Sequence, residues 1–360
     1  MSDQSPVSTS LNLRPTDTVT FAASIGVAAL TLYLLVVGES ILLPLILAIL
    51  ITYLLRALAH GLERIKIQGK RLPGSLSLTG SILIFLLFIV VLVQLVAGNI
   101  SAIVDAAPSY QAKLQTFFAD LQALAERFIG TPLTIAELNE RIDFQSAVVR
   151  LVGALQSIAS NTFQIFLYVA FLLLESRTLD LKIKAFASTT EREQAIKSTL
   201  TAIGRNIEKY ILIKTLMSLL VGALSYGILI VADVDFAAFW ALLIFILNYI
   251  PYIGSVVAVA FPVVLSILQF ASPALTILVL TGLMGAQIVV GNVIEPRVTG
   301  KSLNLSPVII VLALSVWGSI WGVIGMILSV PIMVMAMIVL AQFPRTKALA
   351  VLMSQSGEIK

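Results

Sequence analysis

No cysteine occurs in this chain, and His60 is its one histidine. The first absence excludes disulfides, thiolate metal sites and cysteine nucleophiles together. A lone imidazole in a basic loop gives no metal cluster and reads as a solvated loop residue, so neither a metal nor a cofactor is expected. Charge is scarce as well. Charged residues make up 12% of the chain and hydrophobic ones 59%, where a soluble domain carries about 25% charge, and the mean hydropathy is +1.02. These values describe a chain whose solvent is lipid. The net charge of +4 does not point to nucleic acid. The Lys and Arg residues cluster in short loops beside hydrophobic runs, which is the positive-inside pattern and not a binding stripe.

The charge-free runs are Thr18 to Gly38, Ser40 to Leu55, Leu72 to Val104, Leu151 to Leu174, Thr215 to Ala232, Phe236 to Ile294 and Ser302 to Pro344. A spanning helix takes about 20 apolar residues. The expected fold class is therefore all-α, a polytopic helical membrane protein with about seven to eight membrane segments, some of them broken or re-entrant hairpins. No Asp, His, Lys or Arg lies inside a run. That excludes an aspartyl dyad, an HExxH pair or a serine–histidine arrangement, and no catalytic residue is expected. Gly300, Lys301 and Ser302 spell the end of a phosphate loop, but Glu295 stands where its leading glycine belongs. Nucleotide binding is not expected.

Loop charges set the topology. Residues 1–17, polar and without a basic n-region, read as a disordered cytoplasmic tail and not a signal peptide. Arg56, Arg64, Lys66, Lys70 and Arg71 stand against Glu63 alone, and the segment 175–214 holds eight basic and five acidic residues. Both read as cytoplasmic. One span separates the first of these from 105–150, which is expected outside. There Tyr110, Leu114, Phe117, Leu121, Leu124 and Phe128 form a helical apolar stripe, expected on the outer membrane face or a neighbouring subunit. Thr134 with Glu137, and Thr190 with Glu193, are candidate capping boxes. The resulting layout is membrane segments at 18–104, the external helical segment 105–150, a span at 151–174, the cytoplasmic helical segment 175–214, a C-terminal membrane region at 215–344 and a cytoplasmic tail at 345–360. Both termini are then cytoplasmic.

Parity locates the irregular segments. From outside at Asp233 and Asp235, the run to Ile294 must reach Arg297 and Lys301 inside. One span plus a hairpin bending near Pro251, Gly254 and Pro262 fits that length. The last run starts and ends inside, so its middle, Trp317, Gly318, Trp321, Gly322 and Gly325, reads as a hairpin tip or a close-packing face. Charged and polar groups at such breaks are candidates for a substrate-binding or coupling site. They are Glu295 and Arg297, on either side of the helix breaker Pro296, together with Asn248, Pro251, Gly254, Gln287 and Asn292, and Glu39 after Gly38. Each has a plainer alternative. Glu295 can pair locally with Arg297 or cap a helix, Glu39 can be an exposed turn residue, and Asn248 can brace freed backbone.

The blocks NYIPYIGS at Asn248 to Ser255, GNVIEPRVTGKSLNLSP at Gly291 to Pro307, and WGSIWGVIGMILSVP at Trp317 to Pro331 resemble the signature regions of the AI-2E family of membrane transporters, and within it the autoinducer-2 exporter branch. The likeness runs nearly the whole chain in order and spacing. It implies export of a furanone-type quorum signal in some members and exchange of sodium or lithium for protons in others. By likeness the signature positions are Asn248, Pro251, Gly254, Asn292, Glu295, Pro296, Arg297, Gly300, Trp317, Gly318, Gly322 and Pro331, with no role assigned to any. The expected partners are a small-molecule or ion substrate, the lipid bilayer of the bacterial inner membrane, and further copies of the chain in a homo-oligomer. Three functions stay open: a carrier for a small neutral hydroxylated metabolite, a Na⁺(Li⁺)/H⁺ antiporter, and a non-transporting membrane scaffold.

Overall fold

The computed structural model describes residues 15–67, 70–129, 161–176, 178–270, 272–299 and 304–358, together with the single positions 146, 149 and 153. The Thr134–Glu137 capping box and the Gly300–Ser302 tripeptide lie outside the described residues. The chain divides into two compact units, Met1–Leu43 and Pro44–Lys360.

The first unit holds α1 (Pro15–Val37) and the start of α2 (Glu39–Glu63). Gly38 donates its N–H to Leu34 O at 2.8 Å and accepts the N–H of Leu42 at 2.8 Å. Helical bonding therefore flanks the one residue between the two helices. Glu39 is the exposed first residue of α2, not a residue of an open turn as expected.

In the second unit α2 leads through a two-residue antiparallel pair, β1 (Lys66–Ile67) and β2 (Lys70–Arg71), into α3 (Gly74–Ile129). Then follow α4 (Thr162–Glu175), α5 (Leu179–Phe186), α6 (Thr190–Val231), α7 (Ala237–Leu247), α8 (Ile253–Phe270) and α9 (Pro273–Ile288). A π-helical turn (Val289–Ile294) joins α9 to α10 (Glu295–Thr299), and α11 (Pro307–Ala341) and α12 (Lys347–Met353) complete the order. Among the described residues six helices are long and apolar enough to cross a membrane, or seven if α4 and α5 form one bent span. The 11-residue α7 is apolar but too short to cross alone. The spanning helices turn large apolar side chains outward: Leu83 and Leu87 on α3, Ile277 on α9, and Val308 and Leu312 on α11 are all more than half exposed. Lipid covers such a face at no cost.

Two helices run through boundaries drawn from charge. The 56-residue α3 passes position 105 without a break. The first residues of the stripe expected on the outer membrane face or a neighbouring subunit pack within the chain: Tyr110 and Leu114 are buried in its main hydrophobic cluster with Phe117 packed against it. The 42-residue α6 likewise passes from the polar segment into the apolar run. Its cap is Thr189, whose side chain accepts the Arg192 N–H at 3.3 Å, so the box expected at Thr190 starts one residue early. Glu193 pairs with Lys197 at 2.7 Å instead of reaching back.

α7 and α8 form a hairpin tied at its base. Asp235 donates its N–H to Gln269 Oε1 at 2.9 Å, and Gln269 Nε2 donates to Asp233 O at 2.8 Å. At the tip, a Cβ on Gly254 would lie 1.8 Å from Leu247 O, so only glycine lets the second arm leave so close to the first. The middle of α11 uses the same device. Trp321 (φ −126°, ψ 20°) and Gly322 (φ 59°, ψ −142°) break the helix, and a Cβ on Gly325 would lie 1.9 Å from Trp317 O. Gly322 holds a conformation that L side chains rarely adopt. The base of this second hairpin is tied by the C-terminal segment. Leu305 bridges Ser354, Ser306 donates its N–H to Met353 O at 2.9 Å, and Asn304 Oδ1 accepts the Ser356 N–H at 3.1 Å.

Candidate functional site

Lys214 lies on α6, 8% exposed, and sequence reasoning gives it no role beyond closing the polar segment 175–214. Its Nζ donates to Glu295 Oε1 at 2.9 Å and to Oε2 at 3.2 Å. The partners are 81 residues apart in the chain, and the bond joins α6 to the start of α10. Glu295 therefore does not pair with Arg297, which is exposed and makes no ion pair among the described residues. A buried charge is tolerated when paired and hydrogen-bonded, and a carboxylate gripped through both oxygens meets that condition.

Nor is the helix broken at Pro296. The proline lacks the N–H that would bond one turn back, and its ring crowds the carbonyl there. The wider π turn over Val289–Ile294 takes up the misfit just ahead of it, and helix continues to Thr299. Met284, Gln287, Ile288, Gly291, Asn292 and Glu295 consequently share one face, at steps of three and one, and all line one cavity of about 430 Å³. Opposite them stand Tyr210 and Lys214, one turn apart on α6. The tip of the α7–α8 hairpin supplies Asn248, Ile250, Pro251, Tyr252 and Ser255.

Side chains of α6 hold that tip in place. Asn248 Nδ2 donates to Ser218 Oγ at 3.0 Å, and the Tyr249 hydroxyl donates to Thr215 Oγ1 at 2.7 Å. Further along α6, Gly222 lets α7 approach, since a Cβ there would sit 3.1 Å from Phe245 Cβ and 3.3 Å from Ala241 O. Small residues allow such close helix packing within a membrane.

Of the residues singled out in the sequence, the cavity gathers Asn248, Pro251, Gln287, Asn292 and Glu295. Gly254 shapes the tip without lining the cavity. Glu39 belongs to the first unit. Trp317, Gly318, Trp321, Gly322 and Gly325 form the tip of the second hairpin, where the Trp317 and Trp321 rings lie 4.9 Å apart and a Cβ on Gly318 would meet Met326. That tip is not part of the lining; the second hairpin contributes Ile310 and Val330 from its arms. Sequence reasoning missed Lys214 and Tyr210 on the α6 side of the lining. The available signal was their spacing of four residues at the entry to an apolar run.

Electrically the cavity is balanced. Lys214 and Glu295 are its sole charged lining residues among those described, and they neutralise each other. The other polar groups are amides and hydroxyls. No group of three or more His, Cys, Asp or Glu side chains able to hold a metal ion occurs among the described residues.

A family model described as "AI-2E family transporter" matches residues 25–345. The AI-2 transport protein TqsA of Escherichia coli (strain K12) is 32% identical over 321 residues, 88% of this chain and 90% of that protein. A putative transport protein of Haemophilus influenzae is 29% identical over 344 residues, 93% of this chain and 97% of its own. The putative transport protein YhhT of Escherichia coli (strain K12) is 28% identical over 298 residues, 82% of each chain.

Proposed function

The chain belongs to the AI-2E family of transporters, and from that premise we propose that it exports a small, neutral, hydroxylated metabolite such as the autoinducer-2 quorum-sensing signal. It is a multi-pass membrane protein with a solute to move through a bilayer. The observation that carries the finer reading is the cavity beside the Lys214–Glu295 pair, where charge is cancelled and the remaining polar groups are amides and hydroxyls. Such a lining suits an uncharged solute with several oxygens. It suits an alkali cation less well, because the one carboxylate that lines the cavity already holds an ammonium. The relative named as an AI-2 transport protein supports the same direction.

In this reading the two hairpins are re-entrant and open toward opposite faces of the bacterial inner membrane. Asp235 and Gln269 tie the first base on the external side, and Leu305 and Ser354 tie the second on the cytoplasmic side, with both termini cytoplasmic. The segment layout inferred from charge stands with it, except that α3 and α6 carry membrane and polar portions in single helices. The working assembly is a homo-oligomer. Glu295 is the coupling carboxylate and Lys214 its resident counter-charge. Protonation of Glu295 removes the charge that holds Lys214 and leaves an unpaired ammonium at the site, and that change of charge favours one of two conformations, which is how a gradient biases alternating access.

Purified protein in sealed vesicles tests this. Autoinducer-2 flux is measured under a pH gradient and under a Na⁺ gradient of equal size. Flux of the neutral solute driven by the pH gradient is expected. Counter-movement of Na⁺ and protons without solute would establish the antiporter, and no flux of either would leave the scaffold.

A further inference from the structure

Two buried polar atoms at the cavity wall have no hydrogen-bond partner among the described residues: the hydroxyl oxygen of Tyr210 and the side-chain nitrogen of Gln287. The residues are 8% and 7% exposed, and both line the cavity, from α6 and α9 respectively. A buried polar group left unpaired costs about 1–3 kcal/mol, and native proteins carry few of them. Other buried polar side chains around the cavity are satisfied. Asn248 is bonded to Ser218, Tyr249 to Thr215, and Lys214 to Glu295. The two exceptions face one cavity from opposite sides, Tyr210 from α6, which also carries Lys214, and Gln287 from α9, which the π turn joins to the helix of Glu295. Packing does not demand them either, since phenylalanine and leucine would fill the same space without an unmet bond.

We infer that Tyr210 and Gln287 are the specificity-determining pair of this transporter, each completing its hydrogen bonding on an oxygen of the solute when the cavity wall closes over it. The inference rests on the reading of the cavity as a neutral solute's site. The Gln287 amide donates to a hydroxyl or carbonyl oxygen, and the Tyr210 hydroxyl donates to a second or accepts from it. Both atoms are sealed from water here, so an analogue lacking the matching oxygen leaves them unpaired in the closed state. A site built to bond a substrate hydroxyl rejects the analogue without it far more strongly than an apolar pocket rejects an extra methylene. The neighbouring Lys214–Glu295 pair sets the charge that is admitted, and Tyr210 and Gln287 set where the oxygens must lie.

The test uses full-length protein with ribitol, an uncharged probe bearing oxygen on every carbon, and 2-deoxyribitol, which lacks one. Flux into sealed vesicles and thermal unfolding are measured for the wild type, Tyr210→Phe and Gln287→Leu. The wild type is expected to prefer ribitol. Each variant should lose about tenfold of ribitol flux, the worth of one hydrogen bond near 1.4 kcal/mol, and most of the preference over the deoxy analogue. Thermal stability should hold or rise, because an unmet polar atom has been removed. A fall in unfolding temperature with the preference intact would show the groups to be paired within the protein and overturn the inference. So would wild-type flux and preference in both variants. Absence of ribitol flux in a wild type that moves autoinducer-2 would overturn the inference, whereas absence of both fluxes would remove the neutral-solute reading on which it stands.

Discussion

Lys214 Nζ reaches both carboxylate oxygens of Glu295, at 2.9 and 3.2 Å, from a helix 81 residues earlier in the chain. The lysine side chain is 10% exposed and the glutamate side chain 24%. The bond joins the long α6 to the helix that follows the π turn, with the candidate cavity between them. Neither residue can change its charge without consequence for the other.

The first prediction concerns this pair. Glu295→Gln is expected to abolish gradient-driven flux while leaving slow downhill exchange, because the amide keeps the shape and one acceptor oxygen for Lys214 but cannot titrate. Glu39→Gln, on the exposed first residue of α2, should do much less. Lys214→Met should destabilise the fold by about 1.5–3 kcal/mol, the worth of a charge-assisted hydrogen bond. The double variant Lys214→Met/Glu295→Gln should be more stable than Lys214→Met alone, since it leaves no charge unpaired. Flux against a proton gradient and denaturant unfolding report the two effects. Wild-type accumulation by Glu295→Gln would make Glu295 a structural group.

The glycines at the hairpin tips give a second prediction. Gly254→Ala and Gly325→Ala would place a Cβ 1.8 Å from Leu247 O and 1.9 Å from Trp317 O, and backbone must move to relieve either contact. Both variants should lose transport and unfold at lower temperature. Gly285→Ala is the control, because nothing lies within 4 Å of its added Cβ. In a helix interior alanine is preferred over glycine by roughly 0.5–1 kcal/mol, so this variant should be neutral or slightly stabilised. Equal tolerance at all three positions would mean that the tips are not so tightly closed.

A third prediction follows from the tie between α3 and the base of the first hairpin. The Tyr110 hydroxyl donates to Asp235 Oδ2, and burial together with that bond pushes the Tyr110 pKa well above its usual 10.0. The group binds its proton more tightly when folded. Its contribution is therefore complete below pH 10.0 and is lost as pH rises above it, where the unfolded chain ionises first. Tyr110→Phe should cost about 1–2 kcal/mol at neutral pH. Stability curves of the two proteins should converge as the solution becomes strongly alkaline. Parallel curves through that range would show that Tyr110 titrates as it does in the unfolded chain.

Composition and the order of charge-free runs determined much by themselves: a polytopic α-helical membrane protein, its basic loops, and hairpins bending at Pro251 and near Gly322. These features are local. An apolar run has to become helix in lipid, because no other conformation satisfies its backbone there, and proline and glycine mark where that helix yields. Asn248, Gln287, Asn292 and Glu295 were legible as candidates for the same reason, being polar groups inside or at the end of such runs. What surrounds them was not. Lys214 closes a polar segment in the sequence, and only the packing of α6 against the π turn turns it into the partner of Glu295 in place of nearby Arg297. Tyr110 reads as part of an external helix's apolar stripe until the fold brings Asp235 to it across 125 residues. A charge count assigns a residue to a side of the membrane, but a partner is fixed by which helix faces meet, and that depends on side-chain volumes and close approaches such as Gly222 against Phe245, spread over the whole chain.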